Sequence, residues 1–350
     1  MTELTKQDPN NQSRIPCPFD PSHTVAIQKL DVHKTKCRSR PREPKPYYTL
    51  NMNVTLPLTQ EELTFQQNIY SHKELKAMPW LKQIRLDHLK KSELDQLIQK
   101  VQIAFDQHVT LPIKTQVLTY PTLHIEDGLS LKSARHLYQQ SSLLGHMHEY
   151  GMLKDKTACF MEFGAGKGEL SGHLKDALQE ENGESTYILI DRKNVKHKYD
   201  SYLLGKSKRQ STVRRILMDI KDLNLAKMDE LVNDQDQKKK VVCLSKHLCG
   251  SATDITLKCL MNYVEQEKLN GNSRPISGII IALCCHQICR YEMYPNNKFL
   301  EKIGITNLDF ARVCKMSSWA TCSRKNNNEN ADENSMDSDH EQEPEEDDTG

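Results

Sequence analysis

Short apolar runs alternate with amphipathic stretches in the second half of the chain, from about residue 157 onward. The runs have the length of strands, and helical patterns fall between several of them, as at 170–178 and 252–264. This alternation is typical of a parallel sheet with crossover helices, so we predict an α/β domain with a doubly wound, Rossmann-like sheet over 151–323. The predicted strands are Ala158–Phe163, Thr186–Ile190, Ile216–Leu217, Val241–Leu244 and Ile276–Leu283.

The region 59–150 has helical periodicity instead and carries no evident chemistry. One helix is predicted to start near Ser92, with Asp95 as a weak capping partner, and a second to run from the N-cap Ser130 to Met147. The apolar face of the first helix consists of Leu94, Leu97, Ile98, Val101 and Phe105.

Three polar segments flank these regions. Residues 1–15 and the acidic tail 324–350 have the composition of disordered chain, and 39–58 is a basic, proline-rich linker that favours an extended backbone. The tail from 326 carries eleven acidic residues and no Lys or Arg, so the remaining chain has a net charge of +12 rather than +1. A basic body of this kind favours a polyanionic partner, although a merely solvated surface would have the same composition.

The chain has no apolar run of about 18 residues and no basic N-terminal region followed by an apolar stretch. These features argue against a membrane span and a secretory signal, so we expect no membrane partner and an intracellular location, with nucleus and cytoplasm unresolved. The eleven cysteines are then expected to be free thiols, metal ligands or catalytic groups rather than disulfides.

A compact segment, 16–38, contains four possible metal ligands in the spacing C-x5-H-x9-H-x3-C. Two thiolates and two imidazoles can form a closed tetrahedral Zn²⁺ site, which would be structural because no coordination position stays open. Metal binding would supply much of the folding energy of so small a segment. The alternative is a chance arrangement of surface residues. The four candidate ligands are Cys17, His23, His33 and Cys37.

A glycine-rich loop follows the first predicted strand of the α/β domain. Its pattern is acid-x-G-x-G-x-G, with Glu162 two residues before Gly164, and Glu169 stands where a dinucleotide fingerprint would require another glycine. This pattern suits S-adenosylmethionine, whose amino group an acid could pair with. Asp191 and Asp219 end the next two strands, where they could meet the ribose and the adenine; the alternative is that they cap helices. The predicted cofactor residues are Glu162, Gly164, Gly166, Gly168, Asp191 and Asp219.

The ends of the fourth and fifth strands carry the reactive candidates. A hydroxyl that accepts a methyl group, such as that of a ribose, is a weak nucleophile and needs a group that takes or orients its proton, for which Lys246, His247 and His286 are the candidates. The cysteines there could instead bind a second zinc, through Cys284, Cys285, His286 and Cys289, or simply pack a sheet end. The basic strip between Asp191 and Asp219 could grip phosphates or be a solvated surface.

In order along the chain, these motifs resemble those of the eukaryotic tRNA 2′-O-methyltransferases that act on the acceptor stem. The residues that carry the resemblance are the CHHC set, Phe163–Gly168, Lys246–Gly250, Ile281–His286 and Met316–Cys322. The resemblance implies S-adenosylmethionine-dependent methylation of the ribose at nucleotide 4 of certain tRNAs, with tRNA as the partner and no protein partner inferable. Family members usually carry another finger upstream and a segment beyond the acidic stretch, so we expect a fragment, an isoform or a divergent member.

Two other functions stay open from the sequence. The chain could be a zinc-finger RNA-binding protein whose methyltransferase fold has lost catalysis, although the glycine loop and Lys246 argue against that. It could also methylate a protein or a small molecule. A dehydrogenase is disfavoured by Glu169.

Overall fold

The computed structural model describes residues 14–37, 45–57, 84, 86–121, 123, 130–179, 185–195, 199–205, 211–233, 235, 237–283 and 288–317. The chain divides into two compact units, Met1–Tyr48 and Thr49–Gly350. The predicted acidic tail and His286 lie outside the described residues, as do residues 1–13 and 58–83.

The smaller unit is a ββα arrangement. Strands β1 (Arg14–Cys17) and β2 (Asp20–Ala26) pair antiparallel, with an irregularity in register between Pro16 and Cys17. A short 3₁₀ turn, Ile27–Lys29, leads into helix α1 (Leu30–Lys36).

The larger unit is built on a five-stranded sheet in which every described pairing is parallel. The spatial order is β5–β4–β3–β6–β7. Strands are added outward from β3 to β5 on one side and from β6 to β7 on the other, so the strand order reverses between β3 and β6. The three central strands are almost wholly buried, because helices cover both faces of a parallel sheet, and this explains their continuous apolar sequence. The predicted α/β class is confirmed. The strands are β3 (Cys159–Phe163), β4 (Thr186–Asp191), β5 (Thr212–Leu217), β6 (Val241–Lys246) and β7 (Ile276–Ala282).

Seven helices accompany the sheet in the described part of this unit. Ser130 caps α3 as predicted, since its hydroxyl accepts the Ser133 N–H at 3.1 Å. A helix starts near Ser92 as predicted, at Lys91, but the predicted capping pair of Ser92 and Asp95 is wrong: the N-cap is Lys90, whose N–H the Glu93 carboxylate accepts at 2.8 Å. The helices are α2 (Lys91–His108), α3 (Leu131–Glu149), α4 (Glu169–Leu178), α5 (Asp200–Leu204), α6 (Ser251–Leu269), α7 (Asn297–Lys302) and α8 (Asn307–Ser317).

Residues 49–57, which we call the clasp, are tied to the sheet unit, although the sequence places them within the linker range 39–58. The Thr49 N–H donates to the Asp222 carbonyl, and the Leu56 N–H donates to the Glu292 carbonyl at 3.0 Å. The fully buried Asn53 side chain donates to the carbonyls of Ile220 and Leu223, at 2.6 and 2.8 Å. The clasp therefore contacts the segments that follow β5 and β7, and β5 and β7 are the two edge strands of the sheet.

Candidate functional site

The four predicted metal ligands meet in the smaller unit. β1 and the turn after it supply Cys17, β2 supplies His23, and α1 supplies His33 and leads into Cys37. Their donor atoms all lie within 4.8 Å of one another. His33 and Cys37 are one helical turn apart, which places both on the side of α1 that faces the hairpin.

The separations between these donor atoms suit one tetrahedral ion. Bonds of about 2.3 Å to sulfur and about 2.0 Å to nitrogen give tetrahedron edges of about 3.8 Å between sulfurs and about 3.3 Å between nitrogens. The sulfurs of Cys17 and Cys37 are 3.6 Å apart, and the Nε2 atoms of His23 and His33 are 3.2 Å apart. Asp20 lies 3.6 Å from the other ring nitrogen of His23, where a carboxylate orients an imidazole ligand.

The glycine loop connects β3 to α4 and needs glycine at its bends. Gly164, Gly166 and Gly168 have φ of +66°, +49° and +79°, a region that other residues rarely adopt. A Cβ at Gly166 would meet no atom within 4 Å, so the backbone there faces open space at the carboxyl ends of the strands. In an open parallel sheet, the crevice where the strand order reverses is the usual ligand site, and this loop borders it.

Gly166 is held on both sides by charged side chains. The Asp191 carboxylate, at the end of β4, accepts the Gly166 N–H at 2.8 Å and the Lys193 N–H at 2.8 Å. The Arg215 guanidinium, on β5, donates to the Gly166 carbonyl at 2.7 Å and forms a two-pronged ion pair with Asp200. The Arg215 side chain is only 7% exposed, so it supports the loop and is not available to grip phosphates.

Glu162 lies beneath the loop, buried on β3. One carboxylate oxygen accepts the N–H of Ser171, at 3.1 Å, and its hydroxyl, at 2.5 Å, which attaches the first turn of α4 to the strand. Burial raises the pKa of Glu162 to about 7, an effect that the Ser171 hydrogen bonds only partly oppose.

Asp219, after β5, caps the 3₁₀ turn Ile220–Asp222 by accepting the Lys221 N–H at 3.0 Å, and its other oxygen lies 3.4 Å from Arg192. The alternative role predicted for Asp219, that of a helix cap, therefore accounts for one of its two carboxylate oxygens. Elsewhere in the basic strip, Arg214 pairs with Glu230, and residues 196–198 and 206–210 lie outside the described residues.

On the reaction side, Lys246 ends β6 beside the glycine loop. The buried Ser245 hydroxyl donates to the Phe163 carbonyl at 2.6 Å, which holds the end of β6 against the end of β3. The Lys246 Nζ lies 2.9 Å from Nδ1 of His136, and the His247 ring meets the His136 ring edge to face, with centroids 5.7 Å apart. His247 has φ of +62°, a strained conformation for a residue with a side chain.

The sequence analysis did not identify His136. It lies on α3, one turn before Gln140, in a stripe that continues through the fully buried Leu144 and Met147. Two polar residues within an otherwise buried stripe are the signal that could have drawn attention to it.

The alternative second zinc site is only partly described, because Cys284, Cys285 and His286 lie outside the described residues. Cys289 faces Cys314 of α8, and their mutual hydrogen bond raises the pKa of Cys289 and lowers that of Cys314.

Gly250 is required where it stands, since a Cβ there would lie 2.3 Å from Cγ1 of Ile288.

Comparison with known proteins bears directly on this arrangement. A family model described as "Methyltransferase TRM13" matches residues 138–350, and one described as "U11-48K-like CHHC zinc finger" matches 14–38. The chain belongs to the TRM13 methyltransferase family. A Schizosaccharomyces pombe relative, named "tRNA:m(4)X modification enzyme TRM13", is 33% identical over 88% of this chain and 76% of its own length. The human and mouse homologues of that name are 30% and 29% identical, over 90% and 93% of this chain and 68% and 70% of their own lengths.

Family membership confirms the resemblance inferred from the motifs and accounts separately for the glycine loop and for the metal-ligand cluster. A TRM13 methyltransferase uses S-adenosylmethionine, and the open glycine loop at the reversal of strand order fits such a cofactor. The CHHC finger is a zinc module, and the separations among its four donor atoms fit Zn²⁺. Among the described helices, none is long and apolar enough to cross a membrane.

Proposed function

We propose that this chain methylates the 2′-hydroxyl of the ribose at nucleotide 4 in the acceptor stem of certain tRNAs. The observation that carries the proposal is an amine, Lys246, next to the glycine loop of a TRM13 methyltransferase. The names of the relatives, which are tRNA modification enzymes acting at position 4, support tRNA as the substrate.

The cofactor would lie along the carboxyl ends of β3, β4 and β5. Bound S-adenosylmethionine supplies an activated methyl group on a positively charged sulfur. Gly164, Gly166 and Gly168 would allow its close approach, Asp191 would face the ribose hydroxyls, and Asp219 the adenine. Glu162 would complete the set by placing negative charge beneath the cofactor's amino group.

Lys246 is the proposed general base. It ends β6, whereas Asp191 ends β4, and these two strands flank β3 on opposite sides. A substrate beside Lys246 would therefore face the methyl group rather than the nucleoside of the cofactor. An amine that takes the 2′-hydroxyl proton as the new oxygen–carbon bond forms makes the oxygen a better nucleophile. His247 and His286 are the other proposed catalytic candidates.

The zinc finger would contribute RNA contacts. An RNA duplex exposes its 2′-hydroxyls and phosphates on a wide, shallow groove, so recognition by shape and backbone suits an acceptor stem. The basic body of the chain suits the phosphates.

The test is methyl transfer to an unmodified tRNA transcript, followed by digestion and nucleoside mass spectrometry. A transcript that has a 2′-deoxyribose only at nucleotide 4 is the matched substrate, because it lacks only the acceptor hydroxyl. Lys246→Ala is compared with Lys240→Ala. Lys240 is exposed, directly precedes the opposite end of β6, and donates a hydrogen bond from its Nζ to the Arg274 carbonyl.

We expect one 2′-O-methylnucleoside with the ribose transcript and none with the deoxy transcript. Lys246→Ala should abolish the product and Lys240→Ala should leave it unchanged. Methylation of the deoxy transcript would refute the assigned hydroxyl. Cofactor and tRNA binding without product would instead favour an RNA-binding protein with an impaired methyltransferase fold.

A further inference from the structure

We infer that His136 is a positioning residue for Lys246: its Nδ1 accepts a hydrogen bond from the lysine amine and so helps to aim that amine at the substrate hydroxyl. This inference rests on the proposed function, since it gives Lys246 its orientation in the same reaction. It assigns a role to a helix, α3, in which the sequence shows no chemistry.

The geometry brings the two side chains together from distant parts of the chain. His136 lies in the first half of α3, and Lys246 is the last residue of β6, 110 positions later. Their nitrogens are 2.9 Å apart, a normal hydrogen-bond length. Both side chains are half-buried, so the pair borders solvent at the edge where the substrate must enter.

Two neighbouring features hold the histidine in place. The His247 ring packs edge to face on the His136 ring, and the His247 backbone has a positive φ. One turn further along α3, the amide of the buried Gln140 donates to the Glu169 carboxylate at 3.1 Å, which connects α3 to the first turn of α4 beside the glycine loop.

The chemistry explains why a lysine here benefits from an acceptor. An ammonium or amine on four methylenes can rotate freely, and a neutral imidazole nitrogen that accepts one N–H removes most of that freedom. A neutral amine then still has its lone pair for the substrate. Since Lys has no acceptor once it is charged, Nδ1 must be the acceptor of this bond when Lys246 is an ammonium.

The same bond gains strength during the reaction. The 2′-oxygen–hydrogen bond breaks and its proton goes to Lys246 Nζ, while an oxygen–methyl bond forms and the sulfur–methyl bond breaks. The positive charge that begins on sulfur therefore ends on the lysine as an ammonium. A hydrogen bond from an ammonium is shorter and stronger than one from an amine, so His136 would stabilise the transition state more than the ground state.

The test compares His136→Ala with His136→Asn, whose Oδ1 can occupy nearly the position of Nδ1 as an acceptor. His148→Asn, an exposed position on the same helix, is the matched control. We measure kcat and KM for a tRNA transcript, and the Kd for S-adenosylmethionine by calorimetry. His136→Ala should lower kcat on the order of 100-fold, with KM and Kd changed by less than about twofold, and His136→Asn should recover much of the loss. His148→Asn should match the wild type.

Three results would overturn the inference: an unchanged kcat in His136→Ala, an asparagine variant as slow as the alanine variant, or a weaker cofactor Kd with kcat retained. The last would place His136 in the cofactor site. A wild-type chain without methyl transfer would overturn the proposed function instead, and long-range proton–nitrogen NMR would still test the pair. We expect His136 in the Nε2–H tautomer, with an Nδ1 signal that Lys246→Met shifts; an Nδ1–H tautomer would overturn the pairing.

Discussion

Glu162→Gln should make the methyltransferase unit more stable at high pH and leave its stability unchanged at low pH. The Glu162 pKa rises from 4.5 to about 7 on folding, mainly because the carboxyl is buried. A glutamine keeps an oxygen that can accept both Ser171 hydrogen bonds, and it carries no charge at any pH.

The direction of this pH dependence is set by the folded state, which binds the Glu162 proton more tightly than the unfolded state does. Between pH 4.5 and about 7 the folded state holds a proton that the unfolded state has lost, so the contribution of Glu162 to the free energy of unfolding falls as pH rises through this window. Each pKa unit corresponds to about 1.4 kcal/mol, so the full difference amounts to about 3 kcal/mol above pH 7. The variant should gain about that much at pH 8 and nothing near pH 4.5.

The assay is urea unfolding followed by far-UV circular dichroism from pH 4.5 to 8, without cofactor. Asp254→Asn is the matched control, because burial also raises the pKa of Asp254 to about 7, in α6. Both variants should show the pH signature, whereas only Glu162→Gln should weaken cofactor binding. If Glu162→Gln changed the free energy of unfolding by the same amount at every pH, or lowered it at pH 8, the reasoning from burial would be refuted.

Three further predictions concern the zinc finger, helix α4 and the clasp. Cys17→Ser should abolish stoichiometric zinc, measured by mass spectrometry of the native protein, while the unfolding transition of the larger unit keeps its midpoint. Gly172→Ala should destabilise the larger unit by about 1–3 kcal/mol in urea unfolding, because a Cβ would lie 2.3 Å from the Tyr199 ring; an unchanged midpoint would show that the ring moves aside freely. Asn53→Ala should cost about 1–3 kcal/mol in the same assay, because the carbonyls that it binds lose their donors, and Leu50→Ala, at a residue of the same segment that is 64% exposed, should cost less.

The sheet was predictable because its central strands are buried on both faces and therefore apolar throughout. β5 was the exception, since only Ile216–Leu217 was predicted of the observed Thr212–Leu217. Arg214 and Arg215 interrupt its apolar pattern, yet both are paired in the fold, with Glu230 and Asp200. A charged residue in a strand is compatible with the sheet when its partner comes from elsewhere, and sequence alone does not reveal that partner.

The glycine loop and the metal ligands were predictable because each consists of residues close together in sequence. His136 and Asn53 were not, because their partners are 110 and at least 167 positions away. For the same reason the basic strip suggested phosphate contacts for Arg215, whereas its tertiary partners make it a support for Gly166. Interactions within one motif are visible in the sequence, and interactions between motifs require the fold.

The clasp has a consequence for how the chain acquires its structure. Its hydrogen-bond acceptors include the carbonyls of Ile220, Leu223 and Glu292, and those that Asn53 contacts are synthesised at least 167 residues after it. Contacts at such sequence separation form slowly, because the intervening chain must close before they contribute stability. The clasp therefore stays incompletely paired until the segment after β7 has been synthesised, and we expect its pairing with the segments after β5 and β7 to be a late step in folding.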